Sequence, residues 1–284
     1  MKKLMVAMMA AASMCAFAEE KAETPALSVW GFGNYGIYSG YQLYGSLVNS
    51  EPTAQGYIEG NLNVMDLGYV GVGLWSNTDL TKRRRDNCLG QAFNEWDPNV
   101  HFGRTFWFDD DKTWGLDWRS SFVWYYYPPK NYKGGFDHDN HNFTTWDFNH
   151  SFALVNPYLT PFITVVREYK KGANLIDFGV KKTIQVNDEL TLTPILEFVW
   201  RERQYNWCFP TAFGGLSQNS GIATGKIELD ANYQISENFG LFAKVAYCCV
   251  CDPDLRDNCD RLPSDAYGQA KDFAWGGIGV SFSF

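Results

Sequence analysis

Charged side chains that recur at every second position are the chemically most informative feature of this sequence. In residues 226–235, KIELDANYQI, charged and polar residues alternate strictly with apolar ones. This spacing places the two sets on opposite faces of a β-strand, whereas a helix would scatter them. The same pattern in other segments predicts one polar face that carries twelve charged residues, namely Glu59, Asp117, Arg119, Asp147, Asp177, Lys181, Glu197, Arg201, Lys226, Glu228, Asp230 and Lys244.

Two interpretations of this polar face remain open. Charges enclosed by a protein wall are tolerated only where water or a partner of opposite charge meets them. The face therefore lines either a narrow water-filled pore that selects solutes by charge, or an interior plugged by ion pairs. We favour the pore, because about twelve strands lie between small filled barrels and wide porins.

Catalytic chemistry has weaker support in the sequence. A hydrolytic site needs a nucleophile or an activated water beside a positioned base. None of the four histidines, at positions 101, 138, 141 and 150, lies in a recognisable Ser/His motif. His150 falls on a predicted apolar face. We predict no catalytic residue and no enzyme, with an outer-membrane protease or phospholipase as the alternative.

Cysteines and ligand-rich loops give further candidates. Loop disulfides are predicted among Cys88, Cys208, Cys248, Cys249, Cys251 and Cys259, with the pairing open. The Cys-Cys-x-Cys run fits no common zinc spacing, and residues 137–141, DHDNH, read as a solvated loop. We therefore predict no metal and no cofactor. The basic run 82–85 either contacts lipopolysaccharide phosphates or is simply solvated.

The polar face requires many strands of similar length. Alternation predicts about twelve, with ten or fourteen as alternatives, and their joining segments are short and long in turn, as in outer-membrane barrels. Pro161 and Pro194 interrupt two of them, where proline removes a ladder hydrogen bond. The predicted strands span 27–38, 55–65, 67–76, 96–107, 113–127, 143–155, 158–169, 173–184, 189–203, 221–235, 238–249 and 271–284.

The N-terminus predicts export. Residues 1–18 combine two lysines, an apolar run and a small-x-small site, as in a cleaved signal peptide, and 19–26 would form a short periplasmic segment. Cleavage would change the net charge from −8 to −10, because it removes two lysines and no acids. Such an acidic chain is a poor binder of nucleic acid.

Aromatic residues, 17% of the chain, fit a barrel with interfacial girdles, and Trp107, Trp124, Trp200 and Trp275 near strand ends are interpreted as such anchors. The last strand ends in alternating Phe282 and Phe284. It looks like the closing strand of bacterial outer-membrane proteins, in which a final aromatic residue is read by the barrel assembly machinery.

Residues 35–76 resemble the opening of the TorF-like putative porins. The matching stretches are YGIYSGYQLYG (35–45), Glu51-Pro52, Gln55-Gly56 and LGYVGVGLWSN (67–77), followed by the acidic pair Glu95 and Asp97. The family has Arg-Gly where this sequence has Tyr44-Gly45. The resemblance covers about a quarter of the chain and implies a porin-like channel of unestablished substrate.

Together these features predict that residues 27–284 form a closed antiparallel transmembrane β-barrel in the bacterial outer membrane. Its expected partners are outer-membrane lipid, lipopolysaccharide, the assembly machinery and small hydrophilic solutes, with no nucleic acid. Passive diffusion of such solutes is the expected function. A barrel enzyme and a structural or adhesive surface barrel are the alternatives.

Overall fold

The computed structural model describes residues 27–64, 67–80, 94–126, 144–169, 172–203, 205, 219–261 and 270–284. The predicted signal peptide (1–18) and periplasmic segment (19–26) lie outside the described residues, so these boundaries stay predictions. The same holds for the loop segments 82–85 and 137–141.

Fifteen strands and one helix make up the described chain. The helix, α1, spans Pro253–Arg261. The strands are β1 (Leu27–Tyr38), β2 (Tyr41–Leu43), β3 (Ser46–Asn49), β4 (Thr53–Val64), β5 (Tyr69–Asp79), β6 (Asn94–Trp107), β7 (Gly115–Tyr126), β8 (Thr144–Val155), β9 (Thr160–Glu168), β10 (Ala173–Lys181), β11 (Ile184–Gln185), β12 (Leu190–Arg201), β13 (Gly221–Ser236), β14 (Phe239–Val250) and β15 (Asp272–Ser283).

Twelve long antiparallel strands close into a barrel, which confirms the predicted fold class and strand number. Neighbours along the chain pair with one another, β10 pairs with β12, and β15 pairs with β1. The short β11 extends β12, and β2 and β3 form a separate two-stranded hairpin. Each predicted strand end lies within three residues of the observed one.

The two faces of the wall have opposite character. On β13, Ile227 is 64% exposed whereas Glu228 is 5% exposed, so the apolar residue faces outward and the charged residue inward. Large apolar side chains on the other strands are likewise exposed on the outer face, among them Val72 and Ile278. A closed sheet satisfies its own backbone hydrogen bonds, as a lipid environment requires. This architecture places the protein in the bacterial outer membrane.

The seam between β1 and β15 depends on close contact between aromatic rings and glycines. The amide of Gly31 donates to the carbonyl of Phe284 (2.9 Å), and the amide of Phe284 donates back (3.0 Å). A Cβ on Gly31 would lie 2.4 Å from the Phe284 ring. Phe282 covers Gly33 in the same way. Both aromatic residues therefore belong to the closing seam, and their reading by the assembly machinery stays a prediction.

The two prolines that interrupt the alternation remain within strands. Pro161 pairs with Val180, near the end of β10. Pro194 pairs with Leu229 on β13, and its carbonyl accepts from the Lys182 amide just after β10 ends. Each missing amide donor thus falls near the point where a neighbouring strand breaks off, which limits the loss of ladder hydrogen bonds.

Three features of the structure differ from the sequence-based expectations. The loop predicted over 39–54 contains β2 and β3, and the loop over 250–270 contains α1. Asp252 caps α1, since its carboxylate accepts from the Leu255 amide (3.0 Å) and Pro253 occupies the first turn. Trp275 faces the interior and is buried, so its interpretation as an interfacial anchor is wrong. No helix among the described residues is both long and apolar enough to span a membrane.

Candidate functional site: the barrel interior and its inward hairpin

The ends of the barrel differ in their connections. One end carries short turns such as 156–159 and 237–238, and the other carries most of the long connections. In outer-membrane barrels the short turns face the periplasm and the long loops face outside. The first long connection, 39–52, contains the β2–β3 hairpin, which we call the inward hairpin (residues 41–49).

The inward hairpin folds back into the extracellular half of the barrel. Tyr41 is 2% exposed and forms one buried cluster with residues of three wall strands. Its ring also lies 5.4 Å from that of Trp75 on β5. Burying an apolar side chain contributes about 1.5–3 kcal/mol, so this cluster holds the hairpin inside. The buried members of the cluster are Tyr41, Val48, Val166, Ala173, Leu175, Val199 and Tyr205.

Hydrogen bonds anchor the tip of the hairpin to the opposite wall. The Arg201 guanidinium donates to the carbonyl of Tyr44 (2.9 Å) and to the hydroxyl of Ser46 (3.1 Å). The Thr224 hydroxyl donates to the same Tyr44 carbonyl (2.7 Å). Arg201 has no exposed surface, so these bonds are formed in a dry environment where they are strong.

A second set of contacts holds the base of the hairpin. The Trp275 indole donates to the carbonyl of Gly40 (2.8 Å), and the Thr53 hydroxyl donates to the same oxygen (3.2 Å). Trp275 also stacks on Tyr38, with ring centroids 5.2 Å apart and planes inclined by 12°. The entry of the chain into the barrel is therefore fixed at both strands that flank it.

Two hairpin phenols face carboxylates of the wall. Tyr41 hydrogen-bonds with Glu95, and burial together with that carboxylate raises the Tyr41 pKa well above its usual value. Burial and the charge of Asp147 likewise raise the pKa of Tyr44, whose hydroxyl hydrogen-bonds with Tyr125. Tyr125 in turn donates to Asp147 (3.0 Å). Both hairpin phenols therefore stay neutral and keep their protons available for hydrogen bonds.

An ion-pair network lies along one side of the middle of the barrel. Arg119 on β7 reaches past two strands to Glu59 on β4 (2.7 Å) and also donates to the hydroxyl of Tyr57 (2.9 Å). Asn61 donates to the other oxygen of Glu59 (2.8 Å) and contacts His101 (2.7 Å). Because the network links β4, β6 and β7, it narrows one side of the interior.

A ladder of alternating charge lines the facing wall. Lys226 pairs with Glu197 (3.0 Å) and Glu228 (3.1 Å), and Lys244 pairs with Asp230 (2.9 Å). These residues lie on β12, β13 and β14, at positions that are paired in register. The ladder pairs two lysines with three carboxylates, so both positive charges are neutralised and one negative charge remains.

Three aspartates differ from these paired groups. Asp97, Asp147 and Asp177 each have a buried Oδ1 atom that no described hydrogen-bond donor reaches. Asp97 is 6% exposed and Asp147 is 1% exposed. They lie on β6, β8 and β10, which are alternate strands on one side of the barrel, and all three are close enough to Tyr44 for their charges to raise its pKa. We call them the carboxylate ring.

The periplasmic half of the interior is more open. A cavity of about 330 Å³ lies at the periplasmic mouth, between β1 and the strands β12 to β15. Amide and hydroxyl side chains line its inner side, including Asn34, Thr191, Asn232, Gln234 and Ser281. Asn232 and Gln234 are exposed, whereas inward residues of the extracellular half are mostly buried.

All twelve charged residues predicted for the polar face lie at inward positions of the strands. Whether they line a water-filled passage stays a prediction. Glu95, Asp97 and Glu168 also face inward and were not among the predicted set. Glu95 and Asp97 lie two residues apart, as inward residues must, but Pro98 and the weak alternation of β6 obscured that signal.

The cysteines give no support to the predicted disulfides within the described chain. Cys248, Cys249 and Cys251 carry free thiols, and Cys248 is buried on β14 rather than in a loop. The sulfurs of Cys249 and Cys251 are 3.8 Å apart, and burial raises the pKa of the Cys251 thiol to about 11. Cys259 is buried on α1. Cys88 and Cys208 lie outside the described residues, so pairings that involve them stay predictions.

A serine and a histidine meet on the outer face. The Ser120 hydroxyl and the His150 Nδ1 atom are 2.6 Å apart across the β7–β8 pair. The ring of Phe148 packs edge-on against His150 at 4.5 Å. Among the described residues, no carboxylate hydrogen-bonds with His150. The simplest role for this pair is to satisfy two polar groups on a lipid-facing surface.

Comparison with known proteins bears on the fold. No protein-family model and no curated protein sequence matches the chain. The fold is similar to that of an outer-membrane channel from Pseudomonas putida F1, with a TM-score of 0.50, 9% identity, and coverage of 93% of this chain and 100% of that chain. The TorF-like resemblance is not confirmed and stays a prediction.

Two further solved structures of outer-membrane proteins are similar to the chain at lower scores. A KdgM porin in complex with disordered oligogalacturonate has a TM-score of 0.45, 8% identity, and coverage of 89% of this chain and 99% of that chain. Outer-membrane phospholipase A from Escherichia coli has a TM-score of 0.46, 9% identity, and coverage of 89% of this chain and 92% of that chain. These likenesses bear on the fold alone, so function must be argued from the interior.

Proposed function

We propose that the protein is an outer-membrane channel for passive diffusion of small hydrophilic solutes, and that the inward hairpin is its extracellular constriction. The observation that carries the proposal is the interior itself, which has charged side chains on most strands outside the apolar cluster around the hairpin and is open at the periplasmic mouth. An apolar filling, or ion pairs throughout, would suffice to hold the shape of a barrel. The three aspartates of the carboxylate ring form no ion pair with a described residue, and each keeps a buried oxygen that no described donor reaches.

Conductance across a planar lipid bilayer tests the proposal. The native protein is compared with a variant in which a short Gly-Ser linker replaces residues 41–49. Because those residues fill the extracellular half, we expect small, fluctuating steps from the native barrel and larger, steady steps from the variant. Absence of conductance in both proteins would contradict the proposal and favour a structural or adhesive barrel.

Folding must be checked independently of conductance. Closed barrels resist unfolding by detergent at room temperature, so heated and unheated samples differ in electrophoretic mobility. The native protein and the linker variant should both show this shift, because the hairpin pairs with no barrel strand. Asp257→Ala, on the exposed face of α1, is a control that should leave conductance unchanged.

A lipid-facing hydrolase is the second candidate, and the Ser120–His150 contact is the observation that favours it. A serine activated by histidine attacks an ester carbonyl and expels the alcohol, and water must then reach the acyl-serine to hydrolyse it and regenerate the hydroxyl. A serine-reactive fluorophosphonate probe should then label the native protein and not Ser120→Ala. Equal absence of label in both proteins would exclude this candidate and leave the channel.

A further inference from the structure

The basic side chains of the interior are committed to partners. Arg119 binds Glu59, and Lys226 and Lys244 are held in the ladder by Glu197, Glu228 and Asp230. Arg201 donates its hydrogen bonds to the hairpin tip. Lys181, at the periplasmic end of β10, lies 6.0 Å from the centre of the Phe162 ring. An anion that enters the extracellular half therefore meets cations that are already neutralised or engaged.

The acidic side chains of the same region are not all committed. The carboxylate ring contributes one unpartnered, buried oxygen from each of Asp97, Asp147 and Asp177. Glu95 and Glu168 add charge of the same sign near Asp97 and Asp147. Buried carboxylates that repel one another are stabilised by a positive charge that arrives between them. Near the hairpin tip the three aspartates outnumber the one buried cation of the described residues, Arg201, so the net electrostatic attraction there is for cations.

We propose that the carboxylate ring is a cation-binding constriction that makes the channel selective for small cations, an inference that rests on the proposed channel function. The three aspartates lie on alternate strands along one side of the wall and face the space that the Tyr44 tip occupies. Rings of acidic side chains select cations in other pores by the same electrostatics. The hairpin tip lies between these aspartates and the wall that carries Arg201 and Thr224, and so limits how large a cation can pass.

The ring passes cations rather than storing a metal ion. Within the described residues, no group of three or more His, Cys, Asp or Glu side chains is arranged to hold one metal. Conduction requires binding that is favourable enough to admit an ion and weak enough to release it. Single carboxylate oxygens spread over three strands meet that requirement. The expected solutes are monovalent metal cations and small organic ammonium ions.

The reversal potential in a potassium chloride gradient tests this inference. It is measured on the native protein and on the linker variant lacking residues 41–49, in which the ring remains on the wall and the wider pore allows accurate recording. We expect permeability to potassium to exceed that to chloride by roughly tenfold, because clefts of one charge concentrate counter-ions by at least that factor. The triple variant Asp97→Asn, Asp147→Asn, Asp177→Asn should lower the ratio to near one.

A matched control separates the ring from net charge. Asp109, Asp110 and Asp111 lie in the periplasmic turn between β6 and β7. Their triple change to asparagine removes the same number of charges and should leave the selectivity intact. If it lowers the ratio as much as the ring variant does, the inference is overturned.

The remaining outcomes are also decisive. A linker variant that conducts without preferring potassium overturns the cation ring while the channel function stands. Absence of conductance in every protein overturns the channel function, and the ring with it. If the triple ring variant does not fold, Asp177→Asn alone, at the less buried position, should reduce the ratio measurably. An unchanged ratio in that variant counts against the ring.

Discussion

The extracellular and periplasmic halves of the interior have the same wall but different fillings. In both halves, inward residues of twelve strands are mainly polar or charged. In the extracellular half, Tyr41 and its neighbours close the space, and Arg201 is wholly buried. In the periplasmic half, a cavity of about 330 Å³ opens between amide side chains such as Asn232 and Gln234.

The difference shows that the strand number does not determine whether a barrel is open. A hairpin of nine residues, contributed by one connection, converts half of a polar interior into a packed core. The wall residues that it covers, including Val166, Leu175 and Val199, are the apolar inward positions of β9, β10 and β12. The wall and the hairpin are therefore complementary, and each prediction below alters one side of that fit.

Arg201→Met should produce the largest effect. The variant keeps an unbranched side chain as far as the position of the arginine Nε atom and removes the donors to Tyr44 and Ser46. Hydrogen bonds from a charged donor contribute about 1.5–3 kcal/mol each, so losing two of them should destabilise the docked hairpin by about 3–6 kcal/mol. We expect a rise of one order of magnitude or more in the open probability of single channels. Arg203→Met, at an exposed neighbouring position, is the control, and equal behaviour of the two variants would contradict the anchoring role.

Labelling of two cysteines on one strand compares the halves directly. Thr191→Cys and Val199→Cys both point inward from β12, the first at the periplasmic cavity and the second in the buried cluster. In a background without native cysteines, a charged maleimide should modify position 191 roughly tenfold faster or more, because charged reagents do not enter dry, packed sites. Replacing residues 41–49 by the linker should remove that difference. Equal rates in the intact protein would show that the hairpin does not close the extracellular half.

Gly45→Ala should have the smallest effect of the three. Gly45 adopts a φ of +72°, and a Cβ there would lie 2.7 Å from the Thr224 hydroxyl oxygen. Left-handed backbone costs a non-glycine residue about 1–2 kcal/mol, so the docked hairpin should weaken and the open probability should rise several-fold. Gly221→Ala is the matched control, because no atom lies within 4 Å of its added carbon. If both substitutions are silent, the hairpin tip is not tightly seated.

The barrel wall was predictable because its signal is repeated many times. Residues such as Ile227 and Glu228 alternate so strictly that face, register and strand length follow from the spacing. The connecting segments added an independent signal, since short and long joins alternate. Helix α1 was also predictable, because Asp252-Pro253 is a helix cap followed by a first-turn proline. The neighbouring cysteines favoured a prediction of loop disulfides in this segment instead.

The inward hairpin was not predictable from periodicity, because three- and four-residue strands are too short to show it. Its signal was of another kind: Tyr41, Leu43 and Val48 are apolar residues in a segment expected to face water. Their partners, such as Leu175 and Val199, are apolar residues on the face expected to be polar. Only the tertiary structure joins these two anomalies. Of the carboxylate ring, Asp97 was missed for the same reason. It can be grouped with Asp147 and Asp177 only once β6, β8 and β10 are placed in the folded barrel.

The seam between β1 and β15 has a consequence for biogenesis. Its hydrogen bonds join segments that are among the most distant along the described chain, and the entropy of closing such a long loop must be overcome before those bonds form. All the other strand pairs join segments that are close along the chain and can form first. The sheet is then still open and has two unpaired edge strands. Unpaired edge strands can pair with strands of other chains. We therefore expect the unfolded protein to need periplasmic chaperones until β1 and β15 pair.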